Sequence, residues 1–264
     1  GIVTEVRGAA ASSPLFKILT SYVNINGSNS NGIDRSLRIE NTSMTDPQII
    51  LFGSLGITPI IGCSLKNCIM GNGANSNSAI VISDGEIPGD EGYFSDIVIQ
   101  NNIVMKAYKG IYCNAVNETG NGNGLLITGN YLNKAGTDAI RLSAISVSGV
   151  DGAIISKNII GNIFNYTDYY VACGIIVGTG VVNCLISENQ IGSIRSTTGG
   201  SCGIALSNSQ SSANVNISKN TIAAIATSNA SSYGIYINTP TGVTLEKNKI
   251  NGILNTELFY SGAA

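Results

Sequence analysis

The chain has 264 residues, of which 43% are hydrophobic and 11% are charged, a composition that supports a sizeable core and excludes disorder as the main state. The 14 Lys and Arg residues nearly balance the 16 Asp and Glu residues, so the chain lacks the basic surface that nucleic acids and anionic membranes require. His is absent, which excludes Ser-His-Asp and Cys-His mechanisms within this chain and removes the commonest metal ligand.

The composition also favours strands over helices. Gly is abundant, with 32 residues, and Trp is absent, so tight turns are favoured and we expect an all-β protein. No apolar run approaches the ~18 residues of a membrane span, and no membrane insertion is expected. Because the chain begins at Gly1 without Met or a signal-like segment, we expect a piece of a larger polypeptide with flanking domains.

In chain order, residues 1–60 are expected to form N-terminal coils of irregular spacing, and residues 61–250 repeat one pattern. An Asn recurs within an apolar alternation, as in "IVIQNNIVMKA" at 97 and "NVNISKNTIAAI" at 214. Period two on both sides of this Asn predicts two short strands joined by a turn. The recurring residues are Asn67, Asn102, Asn130, Asn158, Asn189, Asn220 and Asn248.

A second pattern in each repeat predicts a third strand: "GIYC" at 110, "AIRL" at 139 and "GIIV" at 174. Three strands in about 28 residues fit a parallel β-helix, whereas a leucine-rich repeat or a propeller fits less well. We therefore predict one β-helix domain over residues 1–264, with seven or eight coils and three short strands per coil. Residues 251–264 are predicted to be a tail or an incomplete coil.

Between about residues 60 and 250, the units "I-x-x-N-x-I" and "G-I-x-I" resemble the right-handed parallel β-helix proteins with pectate-lyase-like coils. The stretch "YVNINGSNSNGIDRSLRIENTS" at 22–43 resembles a segment of large secreted and surface proteins of Bacteroidetes-type bacteria. The resemblance implies a right-handed coil, a secreted or cell-surface location and a saccharide groove along the "G-I-x-I" strand.

The recurring Asn is expected to have a structural role. Asn tolerates the left-handed conformation that a tight turn needs. Coils stacked about 4.8 Å apart would also place each Asn amide beneath the next, in a hydrogen-bonded ladder.

A ligand site is expected where the "G-I-x-I" strand faces outward. The predicted outward row is Lys17, Ile50, Val81, Tyr112, Arg141, Ile176, Ala205 and Tyr236. Tyr112 and Arg141 would lie on adjacent coils, and the loop at 162–173 would add Tyr166, Tyr169 and Tyr170. Aromatic faces and an Arg suit sugars, so Tyr112, Arg141, Tyr169 and Tyr170 are the predicted polysaccharide-binding residues.

Catalysis is the less favoured hypothesis, because few acidic residues accompany this row. The candidates are Asp138, which is expected to open a strand, Arg141, Asp84 and Glu118. The alternatives to a structural or adhesive module are a polysaccharide lyase, glycoside hydrolase or epimerase, and a phage tail-spike body, which would be a trimer. No cofactor is expected; the acidic loop at 84–96 is a possible Ca²⁺ ligand, although a solvated loop is favoured.

Six Cys residues are present. Cys173 and Cys202 directly precede the "GI" strand in consecutive coils, at a separation that a disulfide could bridge. No Cys spacing is typical of a zinc site.

Overall fold

The computed structural model describes residues 4–29, 32–166, 170–207, 213–228, 230–238 and 242–255. Over these ranges the chain forms an all-β parallel solenoid of about 8 turns, about 31 residues apart. The predicted solenoid is confirmed, and its mean spacing is a little longer than the predicted repeat of about 28 residues. Asn102 and Asn130 are 28 residues apart, whereas Cys68 and Asn102, which occupy the same place in consecutive coils, are 34 apart.

The described residues form 27 strands and one short 3₁₀ helix, Gly136–Asp138. In chain order the strands are β1 (Thr4–Gly8), β2 (Pro14–Ile18), β3 (Asn24–Asn26), β4 (Leu37–Asn41), β5 (Gln48–Ser54), β6 (Ile60–Ile61), β7 (Ser64–Lys66), β8 (Cys68–Asn72), β9 (Ile80–Asp84), β10 (Phe94–Ser95), β11 (Val98–Gln100), β12 (Ile103–Met105), β13 (Lys109–Asn114), β14 (Leu126–Thr128), β15 (Tyr131–Leu132), β16 (Ser143–Ser148), β17 (Ile154–Ser156), β18 (Ile159–Asn165), β19 (Ala172–Val177), β20 (Leu185–Ser187), β21 (Gln190–Ser196), β22 (Ser201–Ser207), β23 (Val215–Ser218), β24 (Thr221–Thr227), β25 (Ser232–Asn238), β26 (Val243–Glu246) and β27 (Lys249–Asn255). No helix in the described ranges is long and apolar enough to cross a membrane.

Three parallel sheets run the length of the solenoid. Sheet I has the order β1-β4-β8-β12-β15-β18-β21-β24-β27, sheet II the order β2-β5-β9-β13-β16-β19-β22-β25, and sheet III the order β3-β7-β11-β14-β17-β20-β23-β26. Strands β6 and β10 form a separate parallel pair. Strand β27 extends into the segment that was predicted to be a tail or an incomplete coil, since it pairs with β24 as far as Asn255.

The core consists of aliphatic columns, because residues in register on successive coils point to the same side. One column of sheet III has side chains that are completely buried: Ile99, Ile127, Ile155, Ile186 and Ile217. Burial of each such side chain contributes about 1.5–3 kcal/mol relative to exposure. The columns therefore fix the register of the coils and hold the outer faces rigid.

Four strands of sheet I, β18, β21, β24 and β27, bend at a left-handed residue, and the bend determines which side chains face solvent. In β18, Ile160 and Ile163 both point inward, with Gly161 and the left-handed Asn162 between them. The bends of neighbouring coils stack in register, so neither strand of a pair carries an extra residue. Beyond the bend Phe164 faces outward, and its register partner Arg195 in β21 does the same.

Candidate functional site

The recurring Asn residues form a ladder at the turn between sheets III and I. Asn130 shows the pattern: its Nδ2 donates to Asn158 Oδ1 (3.1 Å) and to the carbonyl oxygen of Ile99 (2.9 Å), and its backbone N–H donates to Asn158 Oδ1 (3.0 Å). The pattern continues coil by coil, and the ladder comprises Asn102, Asn130, Asn158, Asn189, Asn220 and Asn248. All but the last have no exposed surface, so these five amides are inaccessible to a ligand.

The predicted place of Asn67 in the ladder is wrong, although Asn67 does lie in the turn with a left-handed conformation. Cys68 occupies the ladder position of its coil, where its backbone N–H donates to Asn102 Oδ1 (2.9 Å). Asn67 lies one residue earlier, and its amide bonds outside the core, to Asn26 Oδ1 (2.7 Å) and from Asn101 Nδ2 (2.6 Å).

The left-handed residue of this turn is also not the ladder Asn. It is the residue before the ladder position, with φ between 54° and 64° in every coil from β8 to β27. These residues are Asn67, Asn101, Gly129, Lys157, Glu188, Lys219 and Lys247. The ladder Asn is therefore selected for its amide and not for its tolerance of positive φ.

The outward row of sheet II differs from the predicted one at two positions. The register runs through Lys17, Leu51, Val81, Tyr112, Ser146, Ile176, Ala205 and Tyr236. Ile50 pairs with the buried Ile80 instead. Arg141 precedes β16, because residues 143–148 and not "AIRL" pair with β13. The predicted neighbourhood of Tyr112 and Arg141 is therefore wrong.

Tyr112 is half-buried, and its surroundings leave little of it for a ligand. The Nζ atom of Lys109 lies 3.9 Å from the ring centroid, and Tyr112 Oη donates to the carbonyl oxygen of Gly89 (3.3 Å). Burial raises the pKa of Tyr112 and lowers the pKa of Lys109. One ring face and the hydroxyl of Tyr112 are thus already engaged by its own sheet and by the loop after β9.

Arg141 lies between two other tyrosines. Its guanidinium carbon is 5.5 Å from the ring centroid of Tyr108 and 5.5 Å from that of Tyr166. Tyr166 and Phe164 have ring centroids 5.7 Å apart and exposed fractions of 50% and 44%. The backbone N–H of Arg141 donates to the carbonyl oxygen of Ala107 (2.9 Å), which fixes Arg141 beside Tyr108. Tyr108, Arg141, Phe164 and Tyr166 are called the aromatic patch below.

Of the other two predicted binding residues, Tyr170 is described and Tyr169 lies outside the described residues. Tyr170 is 69% exposed, and its carbonyl oxygen accepts a hydrogen bond from Nδ2 of the buried Asn165 (2.9 Å). Because Asn165 stands between Phe164 and Tyr166, this bond holds the far end of the loop close to the aromatic patch.

A cleft of about 340 Å³ adjoins the patch, with Phe164, Arg195, Asn162 and Ser193 among its lining residues. We call it the patch cleft. It lies on the outer face of sheet I, whereas the sequence led us to expect a groove on sheet II. The available signal was the small residue that stands three positions after the ladder Asn in the central coils, Gly161 and Gly192.

The acidic candidates are dispersed. Asp84 Oδ1 accepts the backbone N–H groups of Glu86 (2.7 Å) and Ile87 (2.8 Å), which makes Asp84 a turn cap. Asp138 does not open a strand, because it is the last residue of the 3₁₀ helix, and it lines a separate cleft of about 240 Å³ with Arg38, Glu40 and Lys106. Glu118 is an exposed turn residue.

No metal site is assembled by these acids. Within the described ranges, no group of three or more His, Cys, Asp or Glu side chains could hold a metal ion, the loop at 84–96 included.

Cys173 and Cys202 are register partners in β19 and β22, and both are buried free thiols. A hydrogen bond with Cys202, followed by burial, raises the pKa of Cys173 well above its usual value. The structure therefore has two stacked thiols where a disulfide had been considered, and their burial keeps them from solvent.

No protein-family model and no curated protein matches the chain. Among solved structures, the chain is similar to PfbA, a surface adhesin of Streptococcus pneumoniae, with a TM-score of 0.39 and 11% sequence identity. The match covers 94% of this chain and 70% of that chain. A likeness at this distance carries no argument about function, which has to come from the residues of the chain itself.

Proposed function

We propose that the chain is a structural and adhesive β-solenoid module that works outside the cell and binds polysaccharide through the aromatic patch. The observation that carries the proposal is the position of Arg141 between two tyrosine rings, beside the patch cleft. Arg141 was already a predicted binding residue. Its aromatic neighbours are Tyr108 and Tyr166, whereas the sequence had led us to expect Tyr112.

The chemistry of the patch suits a sugar. Exposed aromatic faces bury the apolar faces of sugar rings, and the guanidinium donates hydrogen bonds to ring hydroxyls. An aromatic side chain has few rotatable bonds, so it loses little entropy on binding. Arg–aromatic contacts at exposed sites contribute about 0.5–1 kcal/mol each, which favours a patch that is already ordered without ligand.

The dispersal of the acids favours binding over catalysis. Hydrolysis of a glycosidic bond ordinarily needs two carboxyl groups on either side of it. In the described part of the chain, Asp84 caps a turn and Asp138 faces a different cleft from Phe164 and Arg195. We therefore favour a binding protein over an enzyme, and a secreted or cell-surface location is part of the same proposal.

The test is a glycan array followed by calorimetry with any glycan bound. Tyr166→Ala and Arg141→Ala should each weaken binding by about tenfold, the equivalent of about 1.4 kcal/mol. Tyr236→Ala is the matched control, because Tyr236 is 39% exposed and lies on sheet II, outside the patch. Equal losses in all three variants, or no loss in the first two, would contradict the proposal.

A further inference from the structure

We infer that the ligand is a neutral, linear polysaccharide that runs parallel to the solenoid axis along the outer face of sheet I. The inference rests on the proposed function and adds the chemical class and direction of the ligand. It starts from a second cleft of about 290 Å³, called the axial cleft, which shares Ser193 with the patch cleft.

The axial cleft crosses three consecutive coils. Ile159, Gln190 and Thr221 are register partners on strands β18, β21 and β24, and all three line it. Neighbouring strands are about 4.8 Å apart, so the cleft extends roughly 10 Å along the axis. Ser193 lines both clefts, so the two adjoin at this residue, and together they are larger than a single sugar residue would fill.

The floor of the axial cleft includes the backbone of Gly192. Its register partner in β18, Gly161, is buried and lines neither cleft, and its partner in β24 is Ala223. A Cβ atom on Gly161 would lie 2.5 Å from the carbonyl oxygen of Gly192, and one on Gly192 would lie 3.0 Å from that of Ala223. Gly161 therefore has no room for a side chain and Gly192 has little, which keeps the surface low between the two outer columns of side chains in these coils.

The lining indicates a neutral ligand. The polar side chains of the axial cleft are Asn133, Gln190, Ser193 and Thr221, and none of its lining residues is charged. Amides and hydroxyls both donate and accept hydrogen bonds, as sugar hydroxyls do. A carboxylate or sulfate within the axial cleft would lose water without gaining a cation there, because Arg195 lines only the patch cleft. Ile159, which is 38% exposed, adds an apolar surface for a sugar face.

The orientation of these groups is fixed before binding. Asn162 Nδ2 donates to Asn133 Oδ1 (2.7 Å) and to the carbonyl oxygen of Asn133 (3.2 Å). Asn162 also lines the patch cleft, so one pair of amides connects both clefts. Preorganised polar groups lose less entropy when a ligand binds.

The experiment uses the whole chain, a glycan array of neutral and acidic glycans, and calorimetry with neutral linear oligosaccharides from disaccharide to hexasaccharide. We expect affinity to rise by about tenfold or more beyond the disaccharide. A double variant, Gln190→Ala with Thr221→Ala, should remove this gain, so that the hexasaccharide binds no more tightly than the disaccharide. Lys249→Ala is the control, because Lys249 is the register partner of Thr221 in β27 and lies outside both clefts.

The outcomes separate the inference from the proposed function. Binding confined to acidic glycans and weakened by Tyr166→Ala would overturn the neutral ligand and leave the proposed function standing. Affinity that does not change with length, or a gain that survives in the double variant, would overturn the axial path. An array without any bound glycan would overturn the proposed function, and with it the inference. The four substituted side chains are all exposed, so the variants should fold as the parent does; they are Tyr166, Gln190, Thr221 and Lys249.

Discussion

Replacement of Asn158 by Ala tests the Asn ladder at its centre. The amide of Asn158 takes part in four hydrogen bonds with lengths of 2.9–3.1 Å. Its Nδ2 donates to the carbonyl oxygen of Ile127 and to Asn189 Oδ1, and its Oδ1 accepts from N and Nδ2 of Asn130. A typical buried hydrogen bond contributes about 0.5–1.5 kcal/mol net. We therefore expect Asn158→Ala to lower the free energy of unfolding by about 4 kcal/mol.

Asn72 offers the matched control. It is 5% exposed, on β8 of the same sheet, but neither amide atom has a hydrogen-bond partner among the residues that the structure describes. Burial of an unpaired polar group costs about 1–3 kcal/mol. Asn72→Ala removes that cost along with some packing, so its effect on the free energy of unfolding should be close to zero or slightly favourable.

Urea unfolding followed by far-ultraviolet circular dichroism gives both values from the midpoint and slope. Solenoid stability is close to a sum of coil and interface terms, so a break at the centre should also broaden the transition. A loss below about 1 kcal/mol for Asn158→Ala would refute the ladder as a source of stability. So would equal losses in the two variants, because they would then measure the volume of the Asn side chain alone.

Two further predictions concern backbone conformation and pH. Gly129 has a φ of 64°, and a Cβ atom there would have only the backbone N of Asn101 within 4.0 Å. Gly129→Ala should therefore lower the free energy of unfolding by about 1 kcal/mol through backbone strain alone. Unchanged urea unfolding would contradict this. Burial raises the pKa of Cys184 to about 12, so the native chain keeps a proton that the unfolded chain loses above about pH 8.5. The free energy of unfolding should therefore fall as the pH rises from about 8.5 towards 12. Cys184→Ala should make the urea midpoint less dependent on pH. Identical slopes of the midpoint against pH in the variant and the parent would refute the assignment.

The solenoid and its ladder were predictable from the sequence, because both follow from one spacing. A side chain that recurs every coil within a period-two pattern has to stack on itself, and Asn is the residue whose amide can bond to a copy above and a copy below. The error at Asn67 has a physical cause. In "SLKNC" the Asn comes one residue early, and the core column, not the identity of the side chain, decides which residue occupies the ladder position.

The partners of Arg141 were not predictable from the repeat. Two alternations follow each other there, "AIRL" at 139 and "SAISVS" at 143, and either one could pair with β13. The second pairs because it places Ile145 and Val147 in the columns of Ile111 and Cys113. Arg141 is thereby left in the turn before β16, where its contact with Tyr166 depends on the path of a loop. A sequence repeat predicts which side chains stack inside the coil, but it does not predict which residues the loops contact.

The low surface of sheet I was partly predictable from the sequence, because the residues of the outer face can be counted from each ladder Asn. Three residues after the ladder Asn, the column reads Met105, Asn133, Gly161, Gly192, Ala223 and Asn251; six residues after, in the coils that carry the bend, it reads Phe164, Arg195, Ala226 and Leu254. The first column is Gly in β18 and β21, where the second column carries Phe164 and Arg195. A path for a ligand requires this combination of small residues in one column and large side chains in the column beside it. The buried ladder Asn residues do not reach the proposed ligand. Counting along the sequence from them nevertheless locates the surface where binding is proposed.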